Sequence, residues 1–260
     1  MTGIKVQQLR KTYGDREVLG GISFSVPPGQ ICGYLGPNGA GKSTTIKILA
    51  GILRAESGQA SVAGHDVVAD GLLAKRALGY VPESGALYGL LSIREHLHLV
   101  ADLYELEPAS AGQKVGQALE LFELEEVADQ RVDTLSKGQR QKTALAAGLL
   151  HDPEVILFDE PLNGLDANAA RQLKDLITGL AARGKTILYC SHILDVVERI
   201  CDRAVILAEG QIVADAPTSE LLAKAESLEA VFRQLTRAAD DEVLREAFLD
   251  GPAEAPPSDS

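Results

Sequence analysis

Tryptophan is absent from the 260-residue chain, methionine occurs once, and aromatic residues make up only 4%, so any core must be packed from aliphatic side chains. No apolar run approaches the ~18 residues that a membrane-spanning helix needs. The opening Met1-Thr2-Gly3-Ile4-Lys5-Val6 lacks the apolar region of a secretory leader. The expectation is a chain that remains in the cytosol. Cysteine is scarce too: Cys32, Cys190 and Cys201 are odd in number, sit in apolar surroundings and lack metal-ligand spacing, so buried reduced thiols are expected. Basic residues are outnumbered, 25 Lys and Arg against 37 Asp and Glu, and the net charge of −12 excludes a broad nucleic-acid-binding face. There are no internal repeats.

What is present is a 45% hydrophobic chain, long enough for one aliphatic core or one core with an attached helical lobe. Part of the acidity belongs to the end: residues 237–260 hold seven acids against two arginines and contribute −5. Their last stretch, with three prolines in residues 251–260, reads as a disordered tail. A second acidic cluster, residues 120–126, alternates with Leu121, Phe122 and Leu124 and reads as a solvated helix face over a core stripe.

Residues 1–30, with alternation such as Ile22-Ser23-Phe24-Ser25-Val26 before the turn at Pro27-Pro28-Gly29, predict antiparallel strands, as do residues 58–67. Continuous apolar runs at 155–158, 186–190 and 204–207 predict buried parallel strands with helices between them. A hairpin is expected across Glu209-Gly210. Residues 84–150 carry helix patterns only, and predict a helical lobe.

Two segments carry chemistry. Gly36-Pro37-Asn38-Gly39-Ala40-Gly41-Lys42-Ser43-Thr44 matches G-x-x-x-x-G-K-[ST], between a strand-like run at 30–35 and a helix pattern at 43–51 with Ile46, Ile48, Leu49 and Ile52 on its buried side. In such a loop glycines let successive N–H groups turn inward and the helix N-terminus adds its positive dipole end. Lys42 reaches the β and γ phosphates of a nucleotide, and Ser43 offers a hydroxyl to Mg²⁺. The second segment is Val155-Ile156-Leu157-Phe158-Asp159-Glu160. Its apolar run ends in an aspartate able to hold the metal and in a spare carboxylate, Glu160, able to polarise an attacking water. The pair implies binding and hydrolysis of a nucleoside triphosphate.

Between them, Leu135-Ser136-Lys137-Gly138-Gln139 lies about 90 residues after the phosphate loop and about 20 before Asp159. This Leu-Ser-x-Gly-Gln resembles the signature of ATP-binding cassette (ABC) ATPases. Further landmarks follow that family's order: Tyr13 where an aromatic ring stacks on adenine, Asn163-Gly164-Leu165-Asp166 where two cassettes touch, and His192 where a switch histidine meets the γ phosphate. The resemblance spans roughly residues 3–236. It implies an α/β fold of the P-loop NTPase class: a mostly parallel ABC-type core, an antiparallel β subdomain and a helical signature lobe at about 84–150. It also divides the chain into a cassette, 1–236, and an acidic extension, 237–260.

Two positions depart from the family pattern. Glu83 stands where a glutamine is common, in a loop that touches Mg²⁺ and senses the membrane partner, and Lys137 replaces a signature glycine, adding a charge near the partner's phosphates. A glutamate at the first position is common among bacterial exporter cassettes.

By resemblance, then, the cofactors are ATP and Mg²⁺. Glu160 and His192 are catalytic, Ser43, Glu83 and Asp159 hold the metal, and Tyr13 with residues 36–44 bind the nucleotide. Ser136, Lys137, Gly138 and Gln139 serve the ATP site of a second copy, and Asp166 lies at the dimer contact. The implied protein is the ATPase subunit of an exporter, held at the cytoplasmic side of the membrane by a separate permease, with no nucleic-acid partner. The competing reading is a soluble cassette ATPase acting as an assembly factor, for example in iron–sulfur assembly.

Overall fold

The computed structural model describes residues 3–83, 87–223 and 225–236. The acidic extension expected at 237–260 and the first residues of the expected lobe, 84–86, lie outside the described residues. Two sheets organise the chain. The first is antiparallel, with strands β1 (Ile4–Tyr13), β2 (Arg16–Val26), β4 (Ser57–Val62) and β5 (His65–Asp66) in the order β2-β1-β4-β5. The second runs β10-β9-β3-β8-β7-β6, where β3 is Ile31–Leu35, β6 Leu78–Val81, β7 Val155–Asp159, β8 Thr186–Cys190, β9 Arg203–Ala208 and β10 Gln211–Pro217. All pairings in it are parallel except β9 with β10, the hairpin across Glu209-Gly210.

Every residue of β3, β7 and β8 is buried, which is why these strands read as unbroken apolar runs. One face packs against the antiparallel sheet and helix α1 (Lys42–Leu49), through Tyr34, Ile46, Leu49, Leu157 and Leu188. The opposite face carries Phe158, Ile187 and Tyr189 and packs with α6 (Ala167–Ala182), α7 (Leu194–Ile200) and the helical lobe. That lobe holds α3 (Ile93–Leu103), α4 (Pro108–Leu121) and α5 (Lys137–Leu149). Short helices α2 (Gly71–Arg76) and α8 (Thr218–Leu222) and a helical stretch over 228–236, with Leu228 and Val231 in the core, are also present. Among the described residues no helix is long and apolar enough to cross a membrane, and all three cysteines are buried and free.

Two expectations need correction, and one strand had no expectation. Ile52 is not on a buried helix face: α1 ends at Leu49, Gly51 turns the chain at φ +64°, and Ile52 is 63% exposed. A left-handed glycine just past a helix is a stop signal, and it outranked the apolar spacing. Residues 120–126 are not one helix face either, because α4 ends at Leu121 and Glu123 takes φ +54°, so Phe122 and Leu124 are buried while Leu121 is exposed. Strand β6, a parallel edge partner of β7, went unread; four residues broken by Gly79 and closed by Pro82 carry too little period to count.

Candidate functional site

Strand β3 ends at the centre of the parallel sheet, and the loop 36–41 leads from it into α1. Gly39 and Gly41 take φ +81° and +108°. A methyl group on Gly41 would come within 2.7 Å of both Leu19 Cδ2 and the Val18 carbonyl oxygen. Only glycine lets the loop turn this tightly against β2. Ala40 N–H donates to the Pro37 carbonyl at 3.2 Å, and Tyr34 OH donates to Thr45 Oγ1 at 3.0 Å beneath the helix start. Lys42 Nζ lies over the loop, donating to the Gly36 and Pro37 carbonyls at 2.5 and 3.0 Å. A cavity of 250 Å³ opens there, lined by Asn38, Gly39, Gly41, Lys42, Ser43 and Thr44, with the half-exposed Tyr13 beside them. Tyr13 and the loop are far apart in sequence, and the antiparallel sheet brings them to one cavity. Arg16 and Val18 also line it; no motif marks them.

Beside this loop, β7 delivers two carboxylates with different surroundings. Asp159 is buried, and burial first of all raises its pKa, with the neighbouring Glu83 and Glu160 carboxylates adding to the rise. The Cys190 thiol hydrogen bond and the Lys42 charge act the other way. Glu160 then breaks out of the strand with φ +51°, a left-handed conformation that a non-glycine residue holds only under constraint. Its N–H still donates to the Cys190 carbonyl at 2.9 Å. The side chain turns toward the end of β8, where Ser191 Oγ donates to Oε2 at 3.2 Å and His192 Nδ1 lies 2.9 Å from the same oxygen. Ser191 was not among the expected site residues.

Convergence of Glu83, Asp159 and Glu160 in one region is repulsive, and a divalent cation would relieve it. The donor set of carboxylates and the Ser43 hydroxyl suits Mg²⁺ rather than a thiol-seeking metal. Among the described residues no group of three or more His, Cys, Asp or Glu side chains stands ready to hold a metal.

The signature residues stand elsewhere. Ser136 caps α5, accepting from Gln139 N–H at 3.2 Å, while Gln139 Oε1 accepts from Ser136 N–H at 2.9 Å. This reciprocal cap satisfies two backbone donors and fixes the helix start at the surface. Ser136 and Gln139 are not among the residues lining the cavity at the phosphate-type loop. Asp166 caps α6 by accepting from Asn168 and Ala169 N–H, both at 2.9 Å. It therefore has a structural duty of its own.

Comparison with known proteins agrees with this geometry. A sequence-family model described as "ABC transporter" matches residues 19–163. The chain is 36% identical over 220 residues, 85% of its length and 72% of the relative's, to Nod factor export ATP-binding protein I of Paraburkholderia xenovorans (strain LB400). It is 34% identical to linearmycin resistance ATP-binding protein LnrL of Bacillus subtilis (strain 168), with 85% and 70% of the two chains covered. Among solved structures, an ATP-binding subunit of an ABC transporter superposes with a TM-score of 0.85 at 32% identity, covering 90% of this chain and 99% of the other. A dimeric cassette, MJ0796, in a post-hydrolysis state bound to ADP and Pi, superposes at 0.76 with 25% identity, covering 83% and 98%.

Proposed function

The chain belongs to the ABC transporter family as an ATP-hydrolysing subunit, and from that premise we propose that it energises export through a separate membrane permease from the cytoplasmic side. The names of its relatives support the export direction. A surface feature supports the permease: a groove of 310 Å³ runs between the lobe and the core, lined by Tyr80, Pro82, Leu87, Tyr88, His96 and Val100 among others, and Tyr88 in it is exposed. Exposed aromatic and aliphatic side chains around a concavity mark a docking surface for another protein. No observation favours the assembly-factor reading.

The observation that carries the catalytic assignment is Glu160, held in a left-handed turn beside buried Asp159 and fastened to Ser191 and His192. When bound, ATP with Mg²⁺ supplies the phosphoanhydride bond and the charge that screens its oxygens. Tyr13 offers a face for adenine, and the N–H groups of residues 36–44 with Lys42 hold the phosphates. Ser43, Asp159 and Glu83 hold the metal, while Asp159 stays buried and Glu160 polarises the water. His192, 68% exposed where Glu160 is 12%, is held by Glu160 at 2.9 Å, and on this reading it would meet the γ phosphate.

Ser136, Lys137, Gly138 and Gln139 do not line the nucleotide cavity, and the similar cassette MJ0796 is dimeric; on this reading the pair is head-to-tail, and these residues with Asp166 complete the site of a second copy. Substituting Glu160→Gln tests the assignment. It should keep ATP affinity and lower turnover by at least about 100-fold, since only the water-polarising carboxylate is removed. Near wild-type turnover would remove Glu160 from the mechanism.

A further inference from the structure

Glu83 and Lys137, the two residues at which this sequence parts from the signature pattern, touch consecutive residues of one loop. Asn163 Nδ2 donates to Glu83 Oε1 at 3.3 Å. The stem of Lys137 runs along the next residue, Gly164: a methyl group built there would lie 2.8, 3.0 and 3.2 Å from Lys137 Cγ, Cδ and Cε. Gly138 presses on the same residue, where its own added methyl would come within 2.9 Å of the Gly164 carbonyl oxygen. Behind them the loop is tied by Gln141 Nε2 to the Pro161 carbonyl at 3.0 Å and by Asn163 N–H to the Glu160 carbonyl at 3.1 Å.

The chemistry of both substitutions bears on the loop's freedom. A carboxylate only accepts, so Glu83 admits the Asn163 amide in one orientation, whereas a glutamine could accept from or donate to either end of it. Gly164 sits at φ +82°, where a residue without Cβ is free to move. The apolar stem of Lys137 covers that face, as lysine stems do over apolar surface, and a glycine at 137 would leave it open. A single covalent step, Asn163 to Gly164, joins the two contacts.

We propose that Glu83 and Lys137 are positioning residues that act as a pair on the loop 161–166, making it a rigid link between the loop at 83 and the signature turn at 136–139. This deepens the function above and rests on it, because the loop leads from Glu160 to Asp166. Fixing Asn163 from one side fixes Gly164 for the other, so the two contacts should be cooperative.

A double-mutant cycle on the full chain tests this, using Glu83→Gln, Lys137→Ala, the double variant, and Lys137→Met, which keeps an apolar stem without the charge. Hydrogen exchange of the backbone amides at 162–166 is read without nucleotide, so the pair is judged even in a chain that hydrolyses nothing. ATPase kcat and ATP affinity are read in parallel, and a Lys42→Ala control reports separately on the hydrolysis reading. Each single change should speed exchange in the loop and lower kcat several-fold with ATP affinity unchanged. The double variant should be no worse than about the worse single, and Lys137→Met, compared by hydrogen exchange alone, should hold the loop's exchange within about two-fold of wild type. Exchange rates that multiply in the double variant, or a Lys137→Met protein as loose as Lys137→Ala, would overturn the proposal.

Discussion

Glu160 and His192, from the ends of neighbouring parallel strands, meet with Oε2 2.9 Å from Nδ1, and Ser191 donates to the same carboxylate oxygen. The carboxylate therefore orients the imidazole, besides polarising water in the proposed mechanism. Replacing His192 by alanine should lower kcat by about 100-fold with ATP affinity little changed, if the proposed contact to the reacting phosphate is the one removed. Ser191→Ala should cost far less, since His192 still holds the carboxylate. Steady-state ATPase assays on the two proteins check the ranking, and equal losses would contradict it.

A composite site makes a prediction about mixtures. Lys42→Ala damages the phosphate loop and Ser136→Arg the capped start of α5, so each homodimer should be nearly inactive. Mixed at concentrations that permit dimerisation, random pairing leaves roughly a quarter of the sites intact in a two-fold head-to-tail dimer. Recovery of ATPase activity on mixing is the expected result. No recovery from two folded variants would leave the cassette acting alone.

Gly41→Ala should strain the loop rather than fill space. The residue sits at φ +108°, and its new methyl would press on Leu19 and the Val18 carbonyl. A non-glycine residue in such a conformation costs about 1–3 kcal/mol, and relief requires moving the loop away from β2. Reduced nucleotide affinity should accompany a lower melting temperature, read by calorimetry and by nucleotide titration. Gly112→Ala, with open space at its methyl position within helix α4, is the control that should not destabilise.

Far from the nucleotide, His151 stacks on Tyr104 with ring centroids 3.6 Å apart and donates from Nε2 to the Leu78 carbonyl at 3.0 Å. Burial, opposed by that hydrogen bond, lowers its pKa from 6.5 to about 4. Since the unfolded chain takes up this proton more readily, the contribution to stability is complete above about pH 6.5 and is lost as pH falls toward 4. His151→Phe keeps a ring against Tyr104 but cannot titrate. Denaturant unfolding from pH 7 to pH 4.5 should show the wild type losing about 2 kcal/mol relative to the variant. Parallel pH profiles would show that His151 does not titrate in this range.

Much of the site was legible because its parts are local. The loop 36–44, the ending of β7 in Asp159-Glu160 and the cap at Ser136 to Gln139 each need only a few neighbouring residues, so spacing and side-chain type sufficed. Buried strands β7, β8 and β9 announced themselves as unbroken apolar runs. Strand β6 did not, because four residues held by pairing with β7 carry no period of their own. Ile52 was misread for the opposite reason: its spacing was helical, and the left-handed Gly51 decided where it points.

By itself, then, the sequence determined the nucleotide chemistry, since hydrogen-bond donors on a tight turn and a carboxylate after a buried strand depend on short-range geometry. Tertiary structure alone decided which distant groups meet: Tyr13 with the phosphate-type loop, His192 with Glu160, and Glu83 and Lys137 with Asn163 and Gly164. The meeting of His192 with Glu160 follows from the strand order β10-β9-β3-β8-β7-β6, which sets the ends of β7 and β8 side by side, while the antiparallel sheet brings in Tyr13. No local spacing encodes that order, because it is set by which apolar faces can be buried together across the whole chain.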